Sequence, residues 1–209
     1  MARDDVSVYV ISAICGNWWQ ESGINSGVWE NLQVGTWTDL LKGFGLGQWT
    51  NTGGDTHGRL YRLHEYMVSE GYPEDYFYGQ LDYIIEENVW YRRAEAYRYA
   101  NLIDYLTTDD TDLENLTHAW NIGWEGIHDQ SWDYRVQRAY DVLEYLQNYY
   151  DPEVEYQPSV GNRYLSEIER YNNACCMFRY WNGGIPDPNP PHSHKKSKWW
   201  IYMPSPFRL

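Results

Sequence analysis

Apolar residues near the N-terminus recur at spacings of three and four, which is the period of an α-helix. The pattern runs over about residues 5–20, and Asp4 or Asp5 is placed to cap its first turn. Its apolar members are Val6, Val10, Ala13, Ile14 and Trp18. We therefore predict a first helix that ends beside Glu21.

The same period predicts further helices after residue 58. Two of them rest on Leu60, Leu63, His64 and Met67, ending near Gly71, and on Phe77, Leu81, Ile84 and Ile85. Residues 94–106 form the next stretch, and TDLE at 111–114 has the spacing of a capping box. The clearest amphipathic pattern is that of Val136, Ala139, Tyr140, Leu143 and Leu146, ending before Pro152.

The predicted fold is mostly α-helical with one irregular insertion. Residues 22–57 are rich in Gly, Asn, Thr and Trp without a period, which favours a loop or a small irregular sheet. We expect one main domain over residues 1–150 and an extension over 151–182, with a helix at 163–173. Residues 183–209 are predicted to be a linker and tail because they begin with the Pro- and Gly-rich sequence GGIPDPNPPHSHKK.

Composition narrows the class of function. The chain has 209 residues, of which 43% are hydrophobic, so it can bury a core. A formal net charge of −14 argues against nucleic acid, because phosphate binding depends on Lys and Arg. The 12 Trp and 21 Tyr exceed what a core usually needs and favour stacking surfaces for a flat ligand such as a sugar.

No metal, cofactor or disulfide is predicted. Cys15, Cys175 and Cys176 lack the spacing of a zinc site or a disulfide framework, and the histidines share no ligand spacing. The apolar N-terminal stretch has the length of a signal-peptide core, but Asp4 and Asp5 remove its basic flank, so we interpret it as a helix. No run is long enough to span a membrane.

One carboxylate lies where the first helix gives way to glycines, in the sequence GNWWQESGINSG at 16–27. Trp18 and Trp19 beside Glu21 are expected to exclude water, which favours the protonated form of a carboxyl group. Such a group can act as the general acid in glycoside cleavage by protonating the leaving oxygen. Alone this pattern is weak, because a glutamate at a helix end is more often a solvated surface residue.

Two further segments have the composition of a sugar-binding groove. GFGLGQWT at 43–50 combines glycines, which allow close backbone approach, with Gln48 and Trp49, an amide beside a stacking ring. AWNIG at 119–123 places Trp120 and Asn121 at the end of the capped helix. Either segment alone is compatible with an ordinary turn.

In this order, ES, GLGQ and AWNIG resemble the three motifs of the goose-type lysozyme and lytic transglycosylase superfamily. The resemblance covers about residues 5–148 and is closest to the phage tail lysozyme family, which also carries an aromatic-Glu pair, here Trp124 and Glu125, ahead of Arg135. It implies a lysozyme-like α+β fold, predominantly helical, with a small β or loop insertion after the catalytic helix. It further implies cleavage of peptidoglycan between N-acetylmuramic acid and N-acetylglucosamine, with Glu21 as the catalytic acid.

Departures from the family pattern bear on the reaction type. Trp120 stands where the third motif usually has a tyrosine, so only an indole N–H can reach toward Glu21. Asp39 occupies the place of an aspartate thought to hold the attacking water in goose-type lysozymes, whereas Thr50 replaces a second one. We favour hydrolysis, with Asp39 as a catalytic residue. The alternatives are a solvated Asp39 and a lytic transglycosylase, which needs Glu21 alone and leaves 1,6-anhydro ends.

The other candidates each have two interpretations. Ser22 either orients the carboxyl group of Glu21 or makes a local turn bond. Glu125 is expected to hold the late loop rather than to act in the chemistry, and Asp55 is a reserve for the water-positioning role. The residues assigned to substrate binding are Ser22, Gln48, Trp49, Trp120, Asn121 and Glu125.

The resemblance implies bacterial peptidoglycan as the partner and a module of a phage tail as the setting, alongside other tail proteins or further domains. An endolysin, an enzyme of a bacterial mobile element and a catalytically silent glycan-binding tail module are the alternatives. Anionic cell walls would not attract a protein of net charge −14 at long range, which favours a tethered module.

Overall fold

The computed structural model describes residues 6–51, 55–126 and 131–182, which form a helix-dominated protein. The α-helices in this part of the chain are α1 (Val8–Glu21), α2 (Arg59–Glu70), α3 (Phe77–Glu87), α4 (Leu102–Leu106), α5 (Leu113–Trp120), α6 (Trp132–Tyr149) and α7 (Glu167–Trp181). Two 3₁₀ turns (Glu30–Leu32 and Ala94–Arg98) and a π-helical turn (Asn121–Glu125) lie between them. This architecture is consistent with the predicted lysozyme-like helical fold. None of these helices is both long and apolar enough to cross a membrane.

The insertion between α1 and α2 is an irregular loop, and the predicted small sheet is not confirmed. In its described residues the only β pairing consists of isolated antiparallel bridges, from Trp29 to Phe44 and from Phe44 to Trp49. The rings of Trp29, Trp37 and Phe44 lie between 4.8 and 5.2 Å apart, centroid to centroid. Ring packing therefore organises this segment where backbone pairing was expected.

Helix α1 lies at the centre of the fold. Every residue from Val10 to Trp19 is buried, and α5, α6 and α7 pack around it. Its sequence suggested one apolar face, yet small residues let other helices cover the remaining sides. A Cβ at Gly16 would lie 2.5 Å from the backbone oxygen of Arg135, so glycine allows α6 to approach this closely. That contact brings Arg135 to the end of α1.

Side-chain caps set the helix boundaries that differ from the predicted ones. Ser7 caps α1, because its Oγ accepts a hydrogen bond from the backbone N–H of Val10 at 3.2 Å. The predicted caps Asp4 and Asp5 lie outside the described residues, as does the predicted linker and tail at 183–209. Asp112, one residue after the predicted Thr111, caps α5.

Two helices differ in length from their predictions, and a third differs in which residues it buries. The stretch 94–106 is divided, because Asn101 is extended and caps α4 through the N–H of Asp104. A capping box of Ser166 and Glu169 starts α7 four residues later than predicted, and α7 continues to Trp181. Tyr140, predicted on the apolar face of α6, is 49% exposed.

Candidate active site

A cleft of about 780 Å³ opens at the end of α1. Its walls come from the insertion, the start of α2, the segment after α3 and the π-helical turn. It is lined by Glu21, Glu30, Gly43, Gly47, Gln48, Trp49, Thr50, Arg59, Tyr91, Arg93, Glu125 and Gly126. Its size is in the range of small-molecule sites and suits a few sugar rings.

Glu21 lies in this cleft, and its side chain is 23% exposed. Its carboxylate accepts a hydrogen bond from Nη2 of Arg135. The neighbouring tryptophan rings pack into the core: Trp18 packs edge-on against Trp124 at 6.2 Å, and Trp19 packs against Tyr171 at 5.0 Å. Glu21 is therefore in contact with an arginine, Arg135, which was not among the site residues predicted from the sequence.

Arg135 is the most buried charged side chain of the site, with 2% of its side chain exposed. Its Nη1 donates to the backbone oxygen of Asn17 at 3.1 Å and lies 3.4 Å from Oε2 of Glu125. The side chain of Glu125 is only 3% exposed, and Nδ2 of Asn121 donates to the same Oε2 at 2.8 Å. The pKa of Glu125 is raised to about 8, mainly because burial disfavours the charged carboxylate; the nearby Glu21 also raises it, whereas Arg135 and the Asn121 hydrogen bond partly oppose the increase.

The GFGLGQWT segment forms one wall of the cleft. Gln80 of α3 is fully buried and accepts a hydrogen bond from the N–H of Leu46 at 2.9 Å. Ser22 donates from its Oγ to the backbone oxygen of Leu46 at 2.8 Å, so it joins the end of α1 to this wall. Gln48 has a φ of 45°, and its Nε2 donates to the oxygen of Gly45 at 3.0 Å. Gln48 thus both shapes the loop and faces the cleft.

Trp49, Trp120 and Asn121 are largely withdrawn from solvent. Trp49 touches the cleft but is 1% exposed, and its Nε1 donates to Oε2 of Glu87 at 3.3 Å. Trp120 and Asn121 are fully buried and are not among the described residues that line the cleft. The indole N–H of Trp120 meets no acceptor in the described part of the chain, Glu21 included. The structure places Trp120 and Asn121 behind the cleft wall, where the sequence analysis expected them in the groove.

The carboxylates of the insertion differ in where they lie relative to the cleft. Oδ2 of Asp39 accepts a hydrogen bond from the N–H of Thr36 at 2.7 Å, and Asp39 does not appear among the described cleft residues. Asp55 is exposed and accepts a local hydrogen bond from the N–H of His57. Glu30 does line the cleft and accepts from the N–H of Gly43 at 3.1 Å.

Sequence reasoning missed the cleft residues Glu30, Arg59, Tyr91 and Arg93. Arg59 is bound by Glu87 through two contacts of 2.6 and 2.7 Å and donates to the backbone oxygen of Trp124 at 3.3 Å. A partial signal existed, since the segment WYRR at 90–93 puts cations beside aromatic residues. Nothing in the sequence linked that segment to Glu21.

Comparison with known proteins gives a family. A search of curated proteins finds no match to this chain. The family model of phage tail lysozymes matches residues 1–146, a span that holds all the cleft residues. Because that match covers more than half of the sequence, the chain belongs to the phage tail lysozyme family.

Proposed function

We propose that this protein cleaves the β-1,4 bond between N-acetylmuramic acid and N-acetylglucosamine in peptidoglycan, with Glu21 as the general acid. Membership of the phage tail lysozyme family implies a peptidoglycan-lytic, lysozyme-like activity. The observation that supports Glu21 is its position: its carboxyl group is partly exposed in the cleft at the end of a buried helix. A general acid must be within reach of the leaving oxygen, and this position provides that reach.

The reaction begins when Glu21 donates its proton to the glycosidic oxygen as positive charge develops on the sugar ring. Arg135 contacts the resulting carboxylate and stabilises it. Gln48 faces the same space and supplies polar atoms for the acetamido sugars. Ser22 holds the wall of the cleft in position, because its hydroxyl donates a hydrogen bond to the backbone oxygen of Leu46.

Hydrolysis needs a group that holds the attacking water, and two carboxylates compete for that role. Asp39 remains the candidate from the family pattern, whereas Glu30 is the one that lines the cleft. We propose Glu30 for this role beside Asp39. If neither acts, the substrate's own C6 hydroxyl closes a 1,6-anhydro ring, and the protein is a lytic transglycosylase.

The deciding experiment is mass spectrometry of soluble muropeptides from purified peptidoglycan. Glu21→Gln should lower the rate of product release by at least about 100-fold, since general acid catalysis is worth that much or more. Glu65→Gln changes an exposed glutamate of α2 and should keep the wild-type rate. A folded Glu21→Gln protein with the wild-type rate would refute the proposed acid, and absence of product from all variants would leave a glycan-binding module.

The masses of the products distinguish the two reactions. Reducing ends that contain the added water mean hydrolysis, and the rates of Glu30→Gln and Asp39→Asn then show which carboxylate holds that water. Ends lighter by one water mean transglycosylation. We further propose that the protein acts as a phage tail module in local opening of the wall, because a protein of net charge −14 needs tethering to approach an anionic surface.

A further inference from the structure

Two carboxyl groups share one buried guanidinium in this cleft. Nη2 of Arg135 contacts Glu21, and Nη1 lies 3.4 Å from Glu125. With both carboxyl groups ionised, the trio would carry a net charge of −1 where the side chains of Arg135 and Glu125 are 2% and 3% exposed. Burying an uncompensated charge is costly. One proton on the pair makes the trio neutral.

Among the described residues, the other titratable groups that act on Glu125 do not supply the missing positive charge. They are Arg59 from α2 and Tyr105 from α4. Arg59 is already committed to Glu87, whose side chain is 3% exposed. Burial raises the pKa of Tyr105 well above its usual value, so this phenol stays neutral. The charge balance of Glu125 therefore depends on Arg135 and Glu21.

Two buried oxygen atoms show where a proton would be held. Nδ2 of Asn121 donates to Oε2 of Glu125, whereas Oε1 of Glu125 and Oδ1 of Asn121 accept no hydrogen bond from any described residue. A buried acceptor without a donor destabilises the folded chain. A proton on Oε1 would turn that atom from an unsatisfied acceptor into a donor, and Oδ1 of the bonded residue Asn121 is an unsatisfied acceptor.

We propose that Glu21 and Glu125 act as a pair that holds one proton between them, with Arg135 bound to whichever carboxylate is ionised. The proposal rests on the proposed role of Glu21 as the acid, and it makes Glu125 a positioning residue that stores the proton beside Asn121. Both residues line the cleft, and the guanidinium of Arg135 contacts both carboxyl groups, so the two lie around one common partner.

The proton balance closes over one turnover. Glu21 gives its proton to the leaving oxygen, and the pair is then doubly ionised around Arg135. The attacking water, or the C6 hydroxyl in transglycosylation, loses one proton as its oxygen bonds to the sugar. That proton restores the pair, so activity requires one proton on the two carboxyl groups together.

The test is the pH dependence of product release from purified peptidoglycan, at limiting substrate, between about pH 4 and pH 10. Glu125→Gln removes the neighbouring carboxylate, so Glu21 no longer shares its described contact with Arg135 with a second carboxylate. The alkaline limb of activity should therefore move to lower pH by at least about one unit. A role in folding alone would lower activity equally at every pH, and an unmoved limb would overturn the proposal.

Glu87→Gln is the matched control, since Glu87 is equally buried but is bound to Arg59 and to Nε1 of Trp49, with no described contact to Arg135. Any loss of activity it causes should not depend on pH. The two proposals fail in different ways. Activity in a folded Glu21→Gln protein would refute the role of Glu21 as the general acid. An inactive Glu21→Gln protein, together with an unchanged alkaline limb of activity in Glu125→Gln, would refute only the shared proton.

Stability gives a readout that needs no activity. The pKa of Glu125 is raised from 4.5 to about 8 in the folded chain, so the folded state holds this proton more tightly than the unfolded chain does. The resulting stability is fully present below pH 4.5 and is lost as pH rises through about 8. The stability of wild type minus that of Glu125→Gln should therefore fall across this window, and a flat difference would contradict the proposal.

A direct measurement covers the case in which Glu125→Gln does not fold. Carbon-13 NMR of the glutamate carboxyl groups in the wild-type protein should show two linked transitions, one of them above about pH 7. Complete ionisation of every glutamate carboxyl group by about pH 6 would overturn the shared proton.

Discussion

At the scale of single residues, Gly47 shows how tightly the cleft wall is built. A Cβ at this position would lie 2.2 Å from Cη2 of Trp124, whose ring is buried and stacked on Trp120 at 4.9 Å. Neither the loop backbone at Gly47 nor the buried ring of Trp124 can move freely. We therefore expect Gly47→Ala to lower the free energy of unfolding by about 1–3 kcal/mol through overpacking. Urea unfolding followed by tryptophan fluorescence measures this loss, and product release should slow with it. Leu41→Ala, at a side chain 87% exposed in the same insertion, should change neither the stability nor the rate of product release. An unchanged urea midpoint in Gly47→Ala would show that the cleft wall accommodates the extra methyl group.

Single residues also show which parts of the site could be predicted from the sequence and which could not. Short motifs selected Glu21, Gln48 and Glu125, and the structure places all three along one cleft. The role of Trp120 could not be predicted, since an aromatic ring stacks equally well on a sugar or inside a core. Arg135 escaped selection because an arginine on an amphipathic helix normally faces solvent, and its burial arises from a glycine on another helix.

At the scale of elements, Ser22 joins the end of α1 to the wall of the cleft. Its Oγ donates to the oxygen of Leu46 at 2.8 Å and lies 3.3 Å from that of Trp18. Ser22→Ala leaves the buried carbonyl of Leu46 without this donor and should cost about 1–3 kcal/mol. Ser69→Ala removes a similar bond, to Tyr66, at an exposed position of α2 and should cost much less. Thermal unfolding of both variants decides the point: equal losses would mean that the link to Leu46 carries no stability.

Element boundaries were predictable where local chemistry sets them and not elsewhere. Periodicity located α2 and α3 to within two residues, because a glycine or asparagine in the left-handed conformation ends each helix. The insertion had no such signal: Trp29, Trp37 and Phe44 hold it through ring contacts between residues up to 15 apart. Backbone propensity carries no information about contacts of that kind.

At the scale of the whole molecule, the segment after residue 150 is packed onto the end of α1 and the residues that follow it. The ring of Trp19 lies against Tyr171 at 5.0 Å and below the guanidinium of Arg170 at 5.2 Å. Asn173 is fully buried, and its Nδ2 donates to the oxygen atoms of Ile24 at 2.6 Å and Ser159 at 2.8 Å. The family match ends at residue 146, so these contacts join the matched part to residues beyond it.

These contacts predict that residues 151–182 belong to the folding unit of residues 1–150. A chain that ends at residue 150 would expose Trp19 and leave the carbonyl of Ile24 without its donor, so it should melt at lower temperature and less cooperatively than a chain that ends at 182. In the full chain, Asn173→Ala should cost about 1–3 kcal/mol by removing buried hydrogen bonds. Asn148→Ala is the control, because Asn148 is exposed and bonds only within α6, to Glu144. Calorimetry of the two fragments measures this difference. If the chain that ends at residue 150 keeps the melting temperature of the longer chain, residues 151–182 are a separate unit and do not stabilise residues 1–150.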